Sequence, residues 1–473
     1  MMDSILTWNE IALEANKVSF TNGAMEQGGP TLSSRALAIV HLAMYDAYAA
    51  IVNDPVNLPP YLPGLPTPPP GASPQAAVAG AAYTVLNTLY TVQNFEAQLT
   101  QHGNTFDPGH GYGVEVANLL LSDRSNDPSD SDVGYDAPED RGKHREDPDN
   151  PGQKFHAPFY GARSKGFAIT QRHELLAPPF DNFAYLNALR QVRAKGIKPE
   201  LMGTLPDNLG VEQRSPEETV VGIYWGYDGA VDLGTPPRLY NQIVRTVAQA
   251  KGNTEAENAR LFALVNVAMA DAGILAWDQK YIHEFWRPVL GIREHDPSFG
   301  PKAPDTNDMI SEDADPGWLP LGAPKSNSTE KNFTPPFPAY PSGHATFGAA
   351  ALHITRLFYG VAPGNRANDD LFDGLEFVSD EFNGKTLDNA GTVRPKHRRE
   401  FDGGLWQMII ENGLSRVFLG VHWSFDAFFI RPNGTINTRR NIGGVPLGLT
   451  IAEDIFNGGR ANGLKKSPVM PRP

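Results

Sequence analysis

Apolar residues along this chain recur mostly at three- and four-residue spacing with almost no strict alternation, a pattern that predicts helices and few strands. The stretch from Leu32 to Tyr48 opens on Ser33 and Ser34 and continues in helix formers with an apolar face, so it predicts a buried helix starting at a serine cap. Further helices are predicted at about 75–90, 112–123, 184–195, 216–227 and 237–251, each bounded by Gly, Pro or Asp-rich punctuation. Two longer patterns follow, at 255–286 and 400–419. In the first, Phe262, Val265, Met269, Ala272 and Leu275 mark one face turned to a core. The expectation is a mostly α fold, two helical bundles of the four-helix type with long irregular loops. The boundary is placed in the Gly/Pro-containing stretch before Pro216, giving bundles 1–210 and 211–473.

Three segments fit no element: a proline-rich run at 53–72, an acidic stretch at about 122–165, and a Pro/Gly/Asn-rich region at 295–341. Loops this long are disordered or functional, and the third leads straight into the motif richest in chemistry. With 40% hydrophobic and 20% charged residues, the composition is that of a globular protein. The balance of 40 Lys plus Arg against 54 Asp plus Glu, a net charge of -14, argues against a broad nucleic-acid or anionic-membrane surface. Any anion must therefore meet a local cationic pocket. Cysteine is absent, which removes disulfides, thiolate metal sites and a cysteine nucleophile. The first ten residues lack the basic start and apolar core of a secretory signal, and no run approaches the ~18–20 uninterrupted apolar residues of a membrane span. The expected place is inside the cell or beyond an unconventional export route, with no membrane partner.

Three motifs carry chemistry. The first runs from Trp277 to Pro288 and holds Lys280 and Arg287. Seven helical positions make ~700° of rotation, which puts both cations on nearly one face, with Pro288 leaving Arg287 at the helix end. The second, Pro341-Ser342-Gly343-His344 followed by small helix formers, places a hydroxyl, a bare backbone and an imidazole at a helix N-terminus, where free N–H groups and the dipole favour an anion. A serine N-cap beside a surface histidine would explain that motif alone about as well. The third holds Arg416 and His422, which lie ~240° apart on an unbroken helix and share a ligand only if Gly420 breaks it. Asp426, four residues on, either orients the imidazole or is an exposed helix aspartate, two readings of nearly equal weight. His283, His41 and His353 lack partners at metal-ligand spacing or sit in apolar runs, and no chemistry is assigned to them.

In this order the three motifs resemble the superfamily shared by type-2 phosphatidic acid phosphatases and vanadium haloperoxidases, and most closely its fungal chloroperoxidases. Further likeness lies in the Ser34-Arg35-Ala36-Leu37 helix, the stretch from His156 to Gly161, Tyr227-Asp228-Gly229, and the run from Gly443 to Gly448. The resemblance implies a vanadate held by Lys280, Arg287, Arg416, Ser342 and the Gly343 backbone, bonded to vanadium through His422. It further implies His344 as acid–base, Lys280 polarising the oxidant, Asp228 positioning Arg416, and Trp277 and Phe337 lining the halide side in a chloroperoxidase-like manner. The implied reaction is oxidation of chloride or bromide by hydrogen peroxide to hypohalous acid, which halogenates small organic substrates. Two alternatives share these residues. One is a phosphomonoesterase with His422 as nucleophile and His344 protonating the leaving group. The other is a noncatalytic oxyanion-binding protein, which leaves the two histidines unexplained.

Overall fold

The computed structural model describes residues 3–128, 134–179, 183–294, 313–458 and 464–472. Parts of the acidic stretch and of the 295–341 region lie outside them. Among the described residues the fold is mostly α, with a single two-residue hairpin pairing β1 (Phe429–Ile430) and β2 (Ile436–Asn437).

The first half holds α1 (Ser4–Thr21), α2 (Gly29–Val52), α3 (Pro74–Leu89), α4 (Glu96–His102), α5 (Pro108–Asp123), the single turn α6 (Tyr160–Arg163) and α7 (Phe183–Lys195). In this half α2 packs on α3 and α5, which pack on each other. The predicted serine cap on α2 is not used. The helix starts earlier, with Gly28 as N-cap and Pro30 in the first turn, because proline's fixed φ suits that turn. Ser33 and Ser34 are buried inside the helix, and Ser34 Oγ donates to the Thr31 carbonyl. The apolar spacing predicts no helix at α1, whose buried side mixes Trp8, Leu13 and Phe20 with Asn9, Asn16 and Ser19, so its period is broken.

The second half holds α8 (Pro216–Tyr224), α9 (Pro236–Lys251), α10 (Glu255–His283), α11 (Pro288–Arg293), α12 (Gly343–Phe358), α13 (Gly404–Phe418), α14 (Ser424–Ala427) and α15 (Gly444–Gly458). Thr254 and Glu257 close a reciprocal cap on α10, satisfying free N–H groups at its start. Its predicted core face understates the burial, since every residue from Leu261 to Lys280 is buried, including Asn266 and Asp271. A helix apolar all round is a central one. Accordingly α10 touches α2 on one side and α12 on another, tying both halves to one core. Asp271 is tolerated there because its carboxylate accepts from the backbone N–H groups of Phe167, Ala168 and Ile169 at 2.6, 2.8 and 2.9 Å.

By length and composition α2 and α10 could cross a membrane, but 78% and 94% of their most apolar windows are buried in the protein, which makes them core helices. Beside the site, α15 lies on α12 at backbone distance. A Cβ on Gly444 would come within 2.5 Å of the Ser342 carbonyl, and one on Gly448 within 2.4 Å of the Thr346 carbonyl. Only glycine permits that approach.

Candidate active site

The first motif departs from its prediction in one respect. Helix α10 ends at His283 and Glu284 turns left-handed with φ 50, so Lys280 and Arg287 do not share a helical face. Arg287 is instead the extended N-cap of α11, with φ -77 and ψ 157, the backbone that the following proline demands. Both cations still reach one place. Lys280 Nζ donates to the carbonyls of Pro338, Ala339 and Pro341 at 2.7, 3.3 and 2.6 Å, anchoring the chain that enters α12. Arg287 Nε donates to the Phe337 carbonyl at 2.8 Å, and its Nη1 to the Val421 carbonyl at 2.8 Å and to His422 Nε2 at 2.9 Å. Its Nη2 is buried without a partner.

Ser342 caps α12 as predicted, its Oγ accepting from Ala345 N at 3.4 Å, and its own N–H donates to the Asp426 carbonyl at 2.8 Å. His344 Nε2 lies 2.8 Å from the Gly226 carbonyl, which fixes the proton on Nε2 and leaves Nδ1 as the basic nitrogen. Burial first, then Arg416, pulls the His344 pKa down to about 4. The His344 carbonyl accepts from Tyr240 Oη and Asn412 Nδ2 at 3.0 and 2.8 Å, two supports that no sequence motif points to.

Gly420 supplies the break required in the third motif. Its φ of 73 ends α13 and turns the chain so that His422 faces the same cluster as Arg416. Asp228 grips Arg416 through both terminal nitrogens, at 3.1 and 2.7 Å, while Arg416 Nε is buried and unpartnered. Asp426 Oδ2 accepts from His422 Nδ1 at 2.8 Å and from Trp423 N at 2.9 Å. The His422 proton therefore sits on Nδ1, and its Nε2 lone pair faces the cluster. Burial, then Arg287 and Lys280, holds His422 well below the usual imidazole range, while burial raises Asp426 to about 7.

A cavity of about 770 Å³ has Gly343, His344, Arg416 and His422 of this cluster in its wall; Lys280, Arg287 and Ser342, bonded to the same segments, are fully buried. Trp277 and Phe337 stand together on that wall with ring centroids 4.8 Å apart. One further wall residue, His156, has no role in the sequence motifs. Its ring meets Trp277 and Phe337 at 5.9 and 6.1 Å, and its carbonyl accepts from Trp277 Nε1 and Tyr281 Oη. Its place depends on a contact across more than a hundred residues, which spacing cannot reveal. The histidines left without chemistry lie elsewhere: His41 pairs with Asn9 and the Leu37 carbonyl, His353 with Glu453, and the His283 ring with Tyr340.

Lys280, Arg287 and Arg416 are each 0–1% exposed, and among the described residues Asp228 and Asp426 are the carboxylates that bond to the cluster, through Arg416 and His422. Three buried cations against two carboxylates, one of them easily protonated, with two unpartnered guanidinium nitrogens, make a site short of an anion. Among the described residues no group of three or more His, Cys, Asp or Glu side chains forms a cation site.

Two family descriptions match the chain, "Vanadium chloroperoxidase N-terminal domain" over residues 2–153 and "VCPO second helical-bundle domain" over residues 260–435. A vanadium chloroperoxidase of Curvularia inaequalis is 34% identical, the match covering 99% of this chain and 92% of that protein. Among solved structures, a bacterial vanadium-dependent iodoperoxidase superposes with a TM-score of 0.65 at 18% identity, covering 95% of each chain. The holo form of a bacterial vanadium-dependent chloroperoxidase gives 0.60 at 15% identity, covering 91% of this chain and 92% of that one. At such identities the two structures speak for the fold alone.

Proposed function

Because the chain belongs to the vanadium chloroperoxidase family, we propose that Lys280, Arg287, Ser342, Gly343 and Arg416 hold a vanadate that is bonded through His422 Nε2, with His344 as the acid–base. The chain is a vanadium-dependent haloperoxidase, oxidising halide with hydrogen peroxide to hypohalous acid that halogenates organic compounds. One observation carries the residue assignment: the unpartnered Arg287 Nη2 and Arg416 Nε are buried beside His422 Nε2, whose lone pair turns into the cluster and accepts from Arg287 Nη1 at 2.9 Å. A tetrahedral oxyanion satisfies both nitrogens and neutralises the excess of cations. Bound vanadate supplies a Lewis-acidic centre at which peroxide is activated toward halide.

The chain's own residues divide the remaining work. Asp426 holds the His422 proton on Nδ1, which keeps Nε2 available as a ligand. Asp228 fixes the plane of the Arg416 guanidinium. Lys280 has its three donors on the carbonyls of Pro338, Ala339 and Pro341, which sets the position of Ser342 and Gly343; burial, then Arg287, pulls its pKa well down, and a bound anion restores the charge by which Lys280 holds it. His344 Nδ1, on the cavity wall, takes a proton from incoming peroxide and returns it to the leaving oxygen. Trp277 and Phe337 give the halide an apolar, poorly hydrated place beside the anion, which raises its nucleophilicity. The two-bundle division at 210/211, with the site in the second bundle, belongs to the same proposal, as does the absence of nucleic-acid and membrane partners, consistent with the net charge of -14.

Calorimetric titration of vanadate tests the residue assignment. Wild type is expected to bind one vanadate, with phosphate competing, and His422→Ala to lose affinity by about 10–100-fold or more. Unchanged affinity in His422→Ala would contradict the assignment.

A further inference from the structure

The cavity has a second end. Its wall runs from the buried His344, Arg416 and His422 to Met25, a residue 51% exposed; Thr329, Glu330 and Lys331 of the same wall are also exposed, so Met25 forms part of the mouth. We propose that Met25 is this enzyme's own oxidation site, converted to methionine sulfoxide by the hypohalous acid that leaves the cavity. The proposal rests on the haloperoxidase reading for its oxidant.

The wall is continuous between the two ends. Phe20 lines the cavity with Met25 and lies against Gly229, where a Cβ would come within 2.9 Å of the Phe20 ring. Gly229 follows Asp228, the partner of Arg416. The segment carrying Met25 is held in an unusual backbone. Met25 and Gln27 have φ of 53 and 50, uncommon for residues with a side chain, and persist because Met25 N donates to the Ser19 carbonyl at 3.0 Å and Ser19 Oγ to the Glu26 carbonyl at 2.6 Å. No cysteine competes for oxidant. Met44, Met269 and Met408 are 0–1% exposed, whereas Met470 is 63% exposed and is not part of the cavity wall, which makes it a natural reference. A thioether at the exit is thus the soft nucleophile the oxidant meets first.

The chemistry balances. The sulfur lone pair takes the halogen of HOX as X⁺ and hydroxide leaves; water then adds at sulfur, X⁻ departs and two protons are lost, one of them to the hydroxide. The net change is thioether plus HOX to sulfoxide plus H⁺ and X⁻, sulfur losing two electrons and halogen gaining two. A polar sulfoxide then replaces an apolar part of the mouth.

The test uses vanadate-loaded enzyme turning over hydrogen peroxide and bromide, in one arm with excess free methionine to scavenge oxidant in bulk and in a parallel arm with a halogenation reporter and no free methionine. Peptide mass spectrometry reads the gain of one oxygen at Met25 and at Met470. Met25 is expected to be oxidised at least roughly tenfold more than Met470, and reagent hypobromite added to vanadate-free enzyme is expected to oxidise both comparably. Met25→Leu is expected to keep the initial rate and to lose the modified peptide. Equal oxidation of the two methionines during turnover overturns the proposal while reporter halogenation upholds the haloperoxidase reading. The same Met25 preference with reagent hypobromite also overturns it, because exposure rather than the exit route would then decide. Absence of reporter halogenation overturns the reading and the proposal together.

Discussion

At the residue scale, the site depends on carboxylates that hold the anion-facing groups in place. Removing Asp228 leaves the Arg416 charge buried without its partner, and an uncompensated buried charge costs about 3–5 kcal/mol. Asp228→Ala is therefore expected to lower unfolding stability by that order in vanadate-free protein, and by less once vanadate supplies the missing counter-charge; denaturant unfolding with and without vanadate checks both. An equal loss in the two states would mean that Arg416 does not face the anion. Most of these residues are legible in the sequence because each motif pairs a cation or an imidazole with a backbone break, Pro288 after Arg287 and Gly420 before His422. The end of α10 between Lys280 and Arg287 is not legible, because the left-handed Glu284 that stops the helix is neither Gly nor Asn. Tyr240, Asn412 and the Gly226 carbonyl act through contacts distant in sequence and leave no local signal.

At the scale of elements, two joints position the chemistry. Gly420 joins α13 to His422 with φ 73, and a Cβ there would come within 2.5 Å of the Gly196 carbonyl. Gly420→Ala is expected to destabilise by about 1–3 kcal/mol and to weaken vanadate binding by displacing His422 from Arg416, as thermal unfolding and titration would show. The second joint ties α15 to α12, where Glu453 accepts from His353 Nε2 at 3.0 Å, Arg366 Nη1 at 2.7 Å and Gly364 N at 2.9 Å. Burial pushes the Glu453 carboxyl up, but those hydrogen bonds prevail and hold it at about 2, below its usual 4.5. A depressed carboxylate adds stability above its unfolded pKa and loses it as pH falls through the folded one. Between about pH 5 and 2 the melting temperature is expected to fall less steeply in Glu453→Gln than in wild type. Parallel acid limbs would show that the clamp contributes nothing. The helices themselves are readable where apolar spacing is regular, as in α3, α5, α7 and α9. Where polar residues are buried, as Asn9 and Asn16 are in α1, periodicity fails because tertiary hydrogen bonds, not the local pattern, decide which face is inside.

At the scale of the whole molecule, an acidic chain surrounds a pocket of buried cations. The chain as a whole carries a net charge of -14, while Lys280, Arg287 and Arg416 are gathered where water is excluded and burial lowers the pKa of Lys280 and Arg287, so a bound anion favours their charged forms. An anion that binds only the folded state stabilises it by about 2.7 kcal/mol at a hundred times its Kd, so vanadate is expected to raise the melting temperature measurably and phosphate to do so as a competitor. The mostly α architecture is legible from the scarcity of alternation, but the central place of α10 is not, since burial on every side erases the period that marks a face. The most direct measurement is the rate at which protein stripped of vanadate halogenates a reporter with hydrogen peroxide and bromide or chloride as vanadate is added back, with phosphate-ester hydrolysis followed in parallel. Halogenation that is absent at first and rises to saturation with vanadate, and that fails in His422→Ala, is the predicted result. Vigorous ester hydrolysis with no halogenation at any vanadate concentration would contradict the account.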